Sequence, residues 1–196
     1  WLIKGPIGIL LLVVVGLYGY FVWNTQRWAG FDPDYVLAYN LASRNVSAGE
    51  QISGAGGADT ARTCGRSAIA DVTADLVDYN VNDNAWISSM ILYKLGLFGI
   101  RWDNTPWLDN KASFQRGVNQ AIRRTSIELV DTLGRIRGTS QIDQNLQDAR
   151  GNMQFDEYTW YFGLNPFGFK TPTPAFYRAA TRDLRAFNDR LEACNA

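Results

Sequence analysis

Histidine is absent from all 196 residues, and cysteine and methionine occur only twice each. The first absence removes the commonest metal ligand and the usual acid–base group at neutral pH. Metal centres and Ser-His-Asp or Cys-His catalysis are excluded on that ground, and no cofactor is expected. Net charge is missing as well, because 19 basic side chains balance 19 acidic ones. A nucleic-acid partner needs a clustered positive field, and no stretch of the chain supplies one. No GxSxG elbow, SxxK box, Walker A loop or zinc-type cysteine spacing occurs. Even Gly54-Ala55-Gly56-Gly57 is no phosphate loop, since no Lys-Ser/Thr pair follows at the required distance.

What the chain has instead is one long run without charge. Residues 5–26, GPIGILLLVVVGLYGYFVWNTQ, carry no ionisable acid or base between Lys4 and Arg27. A bilayer core about 30 Å thick needs roughly 20 apolar residues in helical form. Ile7, Leu10, Leu11, Leu12, Val15, Tyr18, Tyr20 and Trp23 therefore read as a membrane anchor, with lipid bilayer as the first partner. A cleaved signal peptide would carry a shorter apolar region and an Ala-x-Ala-like site. This run ends instead in Tyr18, Tyr20, Phe21, Trp23 and Trp28, side chains suited to headgroup level. Gly16 and Gly19 are three apart, so the GxxxG helix-dimer pattern is not met.

Lys4 and Arg27 barely decide the orientation. The chain begins at Trp1, so a preceding segment holding the deciding basic residues is expected. The cysteines lean one way. Cys64 and Cys194 either form a single disulfide, which belongs outside the cytoplasm, or remain two separate thiols. The first option places the N-terminus in the cytoplasm and the domain in the periplasm. Such a bond would contribute up to about 5 kcal/mol by restricting the unfolded chain.

Three divisions follow: an anchor over 1–28, a linker or irregular tether over 29–60, and a helical domain over 61–196. The tether is read from SRNVSAGEQISGAGGADT, which has few large apolar residues. In the domain, Ala68, Ile69, Val72, Leu76 and Tyr79 predict a helix from about Asp59 to Tyr79, capped by Asp59 or Thr60. Residues 85–97, AWISSMILYKLGL, predict a short helix apolar on every face. Phe114, Val118, Ile122, Thr125, Leu129, Leu133 and Ile136 mark the apolar stripe of a helix over 112–137, with Arg123 and Arg124 on the opposite face. Ile142, Leu146, Ala149 and Met153 mark another, capped by Ser140 or Asp143. Thr173-Pro174 opens the last helix with a cap and a first-turn proline. Its Tyr177, Ala180, Leu184, Phe187, Leu191 and Cys194 form a seam suited to bundle packing. Alternation is doubtful even near Tyr158 to Phe162. The fold class is all-α: one transmembrane helix plus a compact helical bundle outside the cytoplasm.

Several stretches between residues 106 and 191 carry a resemblance. They are Leu108-Asp109-Asn110, Phe114-Gln115-x-Gly117, Ile127-Glu128-Leu129, Asp131-x-x-Gly134-Arg135-x-Arg137-Gly138 and Ser140-Gln141-x-Asp143. Asp148-Ala149-Arg150-Gly151, Tyr177-Arg178-Ala179-Ala180 and Asn188-x-Arg190-Leu191 continue it. Together they resemble a family of bacterial inner-membrane proteins known as domain of unknown function 2333. The resemblance implies one N-terminal membrane helix and a helical extracytoplasmic domain, with no catalytic residues to carry over. The chain departs from it at Ile87 to Ile100, which is longer and greasier, and members usually continue beyond the point reached at Ala196.

Two kinds of surface chemistry remain. The loop over residues 134–143, which ends in Asp143, together with Asp109, Asn110 and Glu128 could supply a carboxylate pair for glycan hydrolysis at 5 to 10 Å separation. Arg135 and Arg137 beside Asp131 and Asp143 instead point to ion pairs tying a helical corner. The aromatics form two groups: Trp86, Ile87, Ile91, Tyr93, Phe98, Trp102 and Trp107, then Trp160, Tyr161, Phe162, Phe167 and Phe169. Either packs a core, or faces a partner, since interfaces favour aromatics. The expected function is a non-enzymatic accessory or scaffold subunit, with other membrane proteins of a larger complex as partners. The alternatives are an envelope glycan hydrolase and a carrier of lipid or another apolar ligand in a pocket lined by Trp86 to Trp107.

Overall fold

Tyr177, Ala180, Leu184, Phe187 and Leu191 recur along one face of a helix, and that face is the centre of the domain. The computed structural model describes residues 4–41, 64–97, 99–105, 109–133 and 142–194. Its helices are α1 (Lys4–Gln26), α2 (Ala68–Asp78), α3 (Ile91–Leu95), α4 (Asn110–Leu133), α5 (Gln144–Met153) and α6 (Thr173–Glu192). Two short strands, β1 (Phe162–Leu164) and β2 (Phe167–Phe169), add a single hairpin. The protein is mainly helical, and one N-terminal helix is long and apolar enough to cross a membrane.

α6 packs against α5 and α2, and α4 packs against the same pair. Asp143 caps α5 by accepting from the Leu146 N–H at 3.2 Å, which satisfies one free donor at the helix start. Its carboxylate pairs with Arg190 of α6 at 2.5 Å. Arg135, Arg137 and Ser140 lie outside the described residues. So do Asp59, Thr60, Phe98 and Trp107.

Several expectations about helix faces need correction. α2 starts at Ala68, with Ser67 as its cap, not at Asp59. Its buried face is Ala70, Thr73, Ala74 and Val77, while Ile69 is exposed. The two alanines allow close approach to α6, and small size outweighs hydrophobicity there. In α4 the expected Ile122 and Leu129 are buried, but the rest of the interior stripe is Ala112, Gln115, Asn119 and Ser126, the last three each one position from an expected stripe residue. Gln115 earns its interior place by hydrogen bonds: Oε1 accepts from the Ile87 N–H at 3.2 Å, and Nε2 donates to the Asn80 and Ala85 carbonyls. Phe114 is left at the surface.

The apolar stretch 85–97 is not one helix. A 3-10 turn over Ile87–Ser89 and the short α3 are separated at Met90, whose backbone is extended. The break sends its side chains two ways. Trp86 joins the main core, whereas Ile87, Leu92, Tyr93 and Trp102 form a second cluster. Thr173 is likewise no side-chain cap for α6. It lies inside the helix, fully buried, and its hydroxyl donates to the Asp156 carbonyl at 2.7 Å.

Cys64 and Cys194 are joined by a disulfide, with Cα atoms 5.3 Å apart across 130 positions of sequence. Around it the chain is tied twice more. The Cys64 N–H donates to the Glu192 carbonyl at 2.9 Å. The buried Asn188 amide accepts from the Ser67 N–H and donates to the Ser67 carbonyl. The entry to α2 is thus locked to the end of α6.

Candidate functional site

α1 is not a rod standing clear of the domain. Residues 4–17 are exposed on every face, but Phe21 is only 1% exposed and Thr25 3%. Tyr18, Phe21 and Thr25 fall three and four apart, so they share one face of the helix. That face meets the second apolar cluster. The Phe21 and Trp102 ring centroids are 4.9 Å apart, and the Tyr18 hydroxyl donates to the Gly96 carbonyl at 3.0 Å. Tyr20 and Trp23, on the opposite side, stay exposed.

The end of α1 is closed by a side chain from α4. Lys111 is almost fully buried, and its Nζ donates to the Asn24 and Arg27 carbonyls at 2.8 and 2.5 Å. Carbonyls at a helix C-terminus carry partial negative charge, so an ammonium group there is favourable. The same Nζ lies 5.5 Å from the Trp28 ring centroid, in reach of a cation–π contact. Burial pushes its pKa down to about 8, with the charge of Arg27 a lesser cause. Neither the carbonyl contacts nor the polarity of this site were visible in the spacing of the sequence.

The chain leaving α1 stays on the domain. The Asn84 side chain accepts from the Ala29 N–H at 3.1 Å and donates to the Ala29 carbonyl at 2.9 Å. A 3-10 turn, Tyr35–Tyr39, follows, and the Tyr39 hydroxyl donates to Asp75 of α2 at 2.5 Å. The first third of the expected tether is therefore docked. Between it and α2 and α4 lies a cleft of about 390 Å³, lined by Phe31, Tyr35, Tyr39, Leu76, Tyr79 and Phe114 among others.

The two aromatic groups part company. Trp86, Ile87, Tyr93 and Trp102 are buried and Ile91 is half-buried, so the described members of the first group are interior packing and not an open surface. A shallower cleft of about 310 Å³ opens beside it, between Tyr93, Lys94, Arg101, Trp102 and Tyr158. The second group is outside. In the hairpin, Phe162 pairs with Phe169, Gly163 with Gly168 and Leu164 with Phe167. Side chains alternate across a strand, so Phe162, Leu164, Phe167 and Phe169 all project from one face. Phe169 is 93% exposed, and Leu164, Phe167 and the neighbouring Tyr161 are open too. Phe162, half-buried, is held edge-on by Phe167 and Phe169 at 5.0 and 5.8 Å. On the other face the strand positions are Gly163 and Gly168, and the Lys170 stem crosses Gly163 so closely that a Cβ there would collide with it. Trp160 is half-buried at the base.

The carboxylates singled out in the sequence are scattered. Asp109 precedes α4 and Glu128 lies near its far end, about 28 Å away at helical rise. That is well beyond a two-carboxylate hydrolytic pair. Glu128 forms an exposed i,i+4 pair with Arg124 at 3.1 Å. The buried ion pair is elsewhere. Arg123 meets Glu157 at 3.2 Å and donates to the Met153 and Phe155 carbonyls. Asn119 and Gln120 also donate to Glu157. This cluster ties the turn after α5 to α4, and with every member partnered it reads as architecture. No family model, curated protein or solved structure matches the chain.

Proposed function

We propose that the protein is a single-pass membrane-anchored accessory subunit, whose helical domain presents the β1–β2 hairpin to another protein of a larger inner-membrane assembly. The observation that carries this reading is the seat of α1 in the domain. Were α1 a removable leader, its loss would strip Trp102 and leave the buried Lys111 ammonium without its two carbonyl acceptors. Loss of α1 would also uncover the apolar cluster it covers, at a cost of about 25 cal/mol per Å² of apolar surface, so α1 is read as permanent. Seating also gives the domain a defined attitude to the bilayer, which a free tether would not.

The hairpin supplies the docking surface. Four large apolar side chains on one face, three of them open to solvent, exceed what scattered surface hydrophobics require. The Cys64–Cys194 disulfide favours an oxidising compartment for the domain. That favours the periplasm for the domain and the cytoplasm for the N-terminus, the arrangement the family resemblance also implies.

The test is purification of the full chain from native membranes in mild detergent, beside Phe167→Asp and Phe169→Asp variants. A stoichiometric companion should accompany the wild type and be lost from both variants. A wild-type chain that elutes alone, or a companion kept by both variants, refutes the reading.

A further inference from the structure

The membrane-spanning reading of α1 has a geometric consequence for the residues packed beside it. Only residues 5–17 are both charge-free and open on every face, a length of about 20 Å at helical rise. The hydrocarbon core is about 30 Å thick. With the Lys4 charge taken as the near boundary, the remaining third comes from the next turns, Tyr18 to about Asn24. One face of those turns is already covered, by Trp102, the Gly96 carbonyl and the cluster around Leu92 and Tyr93. Whatever covers them sits at lipid depth.

Resting on the anchor reading, we propose that residues 91–97 together with 99–101 form a lipid-embedded shoulder. It enters the leaflet beside α1, with Leu95 and Ile100 among acyl chains and Lys94 and Arg101 at the level of the phospholipid phosphates. Leu95 and Ile100 are both more than half exposed, and their charged neighbours are exposed beside them. Long basic side chains suit that boundary, since their stems lie in the apolar layer and their heads reach the phosphates. The shallow cleft holding Lys94 and Arg101 faces the same boundary and takes the headgroup.

Much of the described backbone here is already satisfied by protein. Irregular chain is tolerated at membrane depth only where its polar groups are satisfied by protein. The Leu97 and Ile100 amides donate to each other's carbonyls at 2.9 Å, and the Gly96 N–H donates to the Leu92 carbonyl at 3.0 Å. The Gly96 carbonyl accepts from Tyr18, and the Trp102 Nε1–H donates to the Leu92 carbonyl. Gly96 has φ +70°, and a Cβ there would strike the Ile100 carbonyl, so only glycine closes this loop without strain.

The experiment is depth measurement by spin label in the full chain, reconstituted in phosphatidylcholine vesicles containing phosphatidylglycerol. Single cysteines are introduced as Leu95→Cys, Ile100→Cys, Leu12→Cys and Gln120→Cys, all at exposed positions and with the native disulfide intact. Leu95 and Ile100 labels should collide with oxygen severalfold more than the Gln120 label, and with an aqueous nickel chelate severalfold less. If both match Gln120 while Leu12 reports a deep site, the shoulder is refuted and the anchor stands. If Leu12 is also water-accessible, the anchor reading itself fails.

Discussion

Phe21→Ala separates a seated anchor from a free one. The side chain is 1% exposed, against Trp102 on the domain side. Unfolding in a detergent micelle leaves α1 in an apolar medium, so the transfer part of the usual Phe→Ala cost of about 3–5 kcal/mol largely cancels. What remains is the void left in the packed junction. Removing about 100 Å³ at roughly 24 cal/mol per Å³ gives about 2 kcal/mol. For a domain of this size each kcal/mol moves the midpoint by about 2–4 °C, so a fall of about 4–8 °C is expected. Leu12→Ala, at a position 71% exposed in α1, is the control and should move it by less than about 1 °C. The assay is thermal unfolding of both variants and wild type in one mild detergent, followed by near-ultraviolet circular dichroism. Equal, negligible shifts for Phe21→Ala and Leu12→Ala would refute a helix seated in the domain.

Reducing the Cys64–Cys194 bond, or Cys194→Ser, should lower stability by up to about 5 kcal/mol on the chain-entropy argument. An unchanged denaturant midpoint with and without reductant would contradict it. After reduction, a membrane-impermeant thiol reagent should label the protein in intact spheroplasts, and labelling only after lysis would reverse the proposed side. Lys111 gives a pH signature, because the unfolded chain keeps this proton to about 10.5 and the folded one releases it from about 8. The unfolded state then binds more protons between those values, so stability should rise with pH across them, and Lys111→Met should flatten the slope. The Tyr177 phenol, which burial holds up at about 12, acts in the opposite sense only above pH 10. Glu157→Gln should cost about 2–3 kcal/mol by leaving Arg123 less compensated, whereas Glu128→Gln, in an exposed pair, should cost under about 0.5. Denaturant titrations of the two variants side by side check the contrast.

The elements most legible in the sequence were those whose apolar residues do the packing themselves. α6 keeps its seam from Tyr177 to Leu191, and α5 keeps Leu146, Ala149 and Met153 inside. α4 shows the opposite case. Its periodicity found Ile122 and Leu129, but its interior also includes Gln115 and Asn119, whose hydrogen-bond partners are remote in sequence, so at those turns the hydrophobic pattern pointed one position away. Arg123, assigned to the solvent face by the same pattern, turns inward because Glu157 is there to receive it. The exposed aromatics of 161–169 were visible as composition, but only the hairpin register puts four apolar side chains on one face.

By itself the amino-acid order determined an uncharged helix long enough for a bilayer, a helical class, and the absence of histidine chemistry. These are properties of local runs and of composition, and no distant partner alters them. The tertiary structure alone decided which aromatics are sealed and which are open, that Lys111 closes the end of α1, and that Gly96 and Trp102 lie beside that helix. Those facts depend on contacts between positions about 10 to 90 residues apart, and burial and charge satisfaction are settled only when such segments meet.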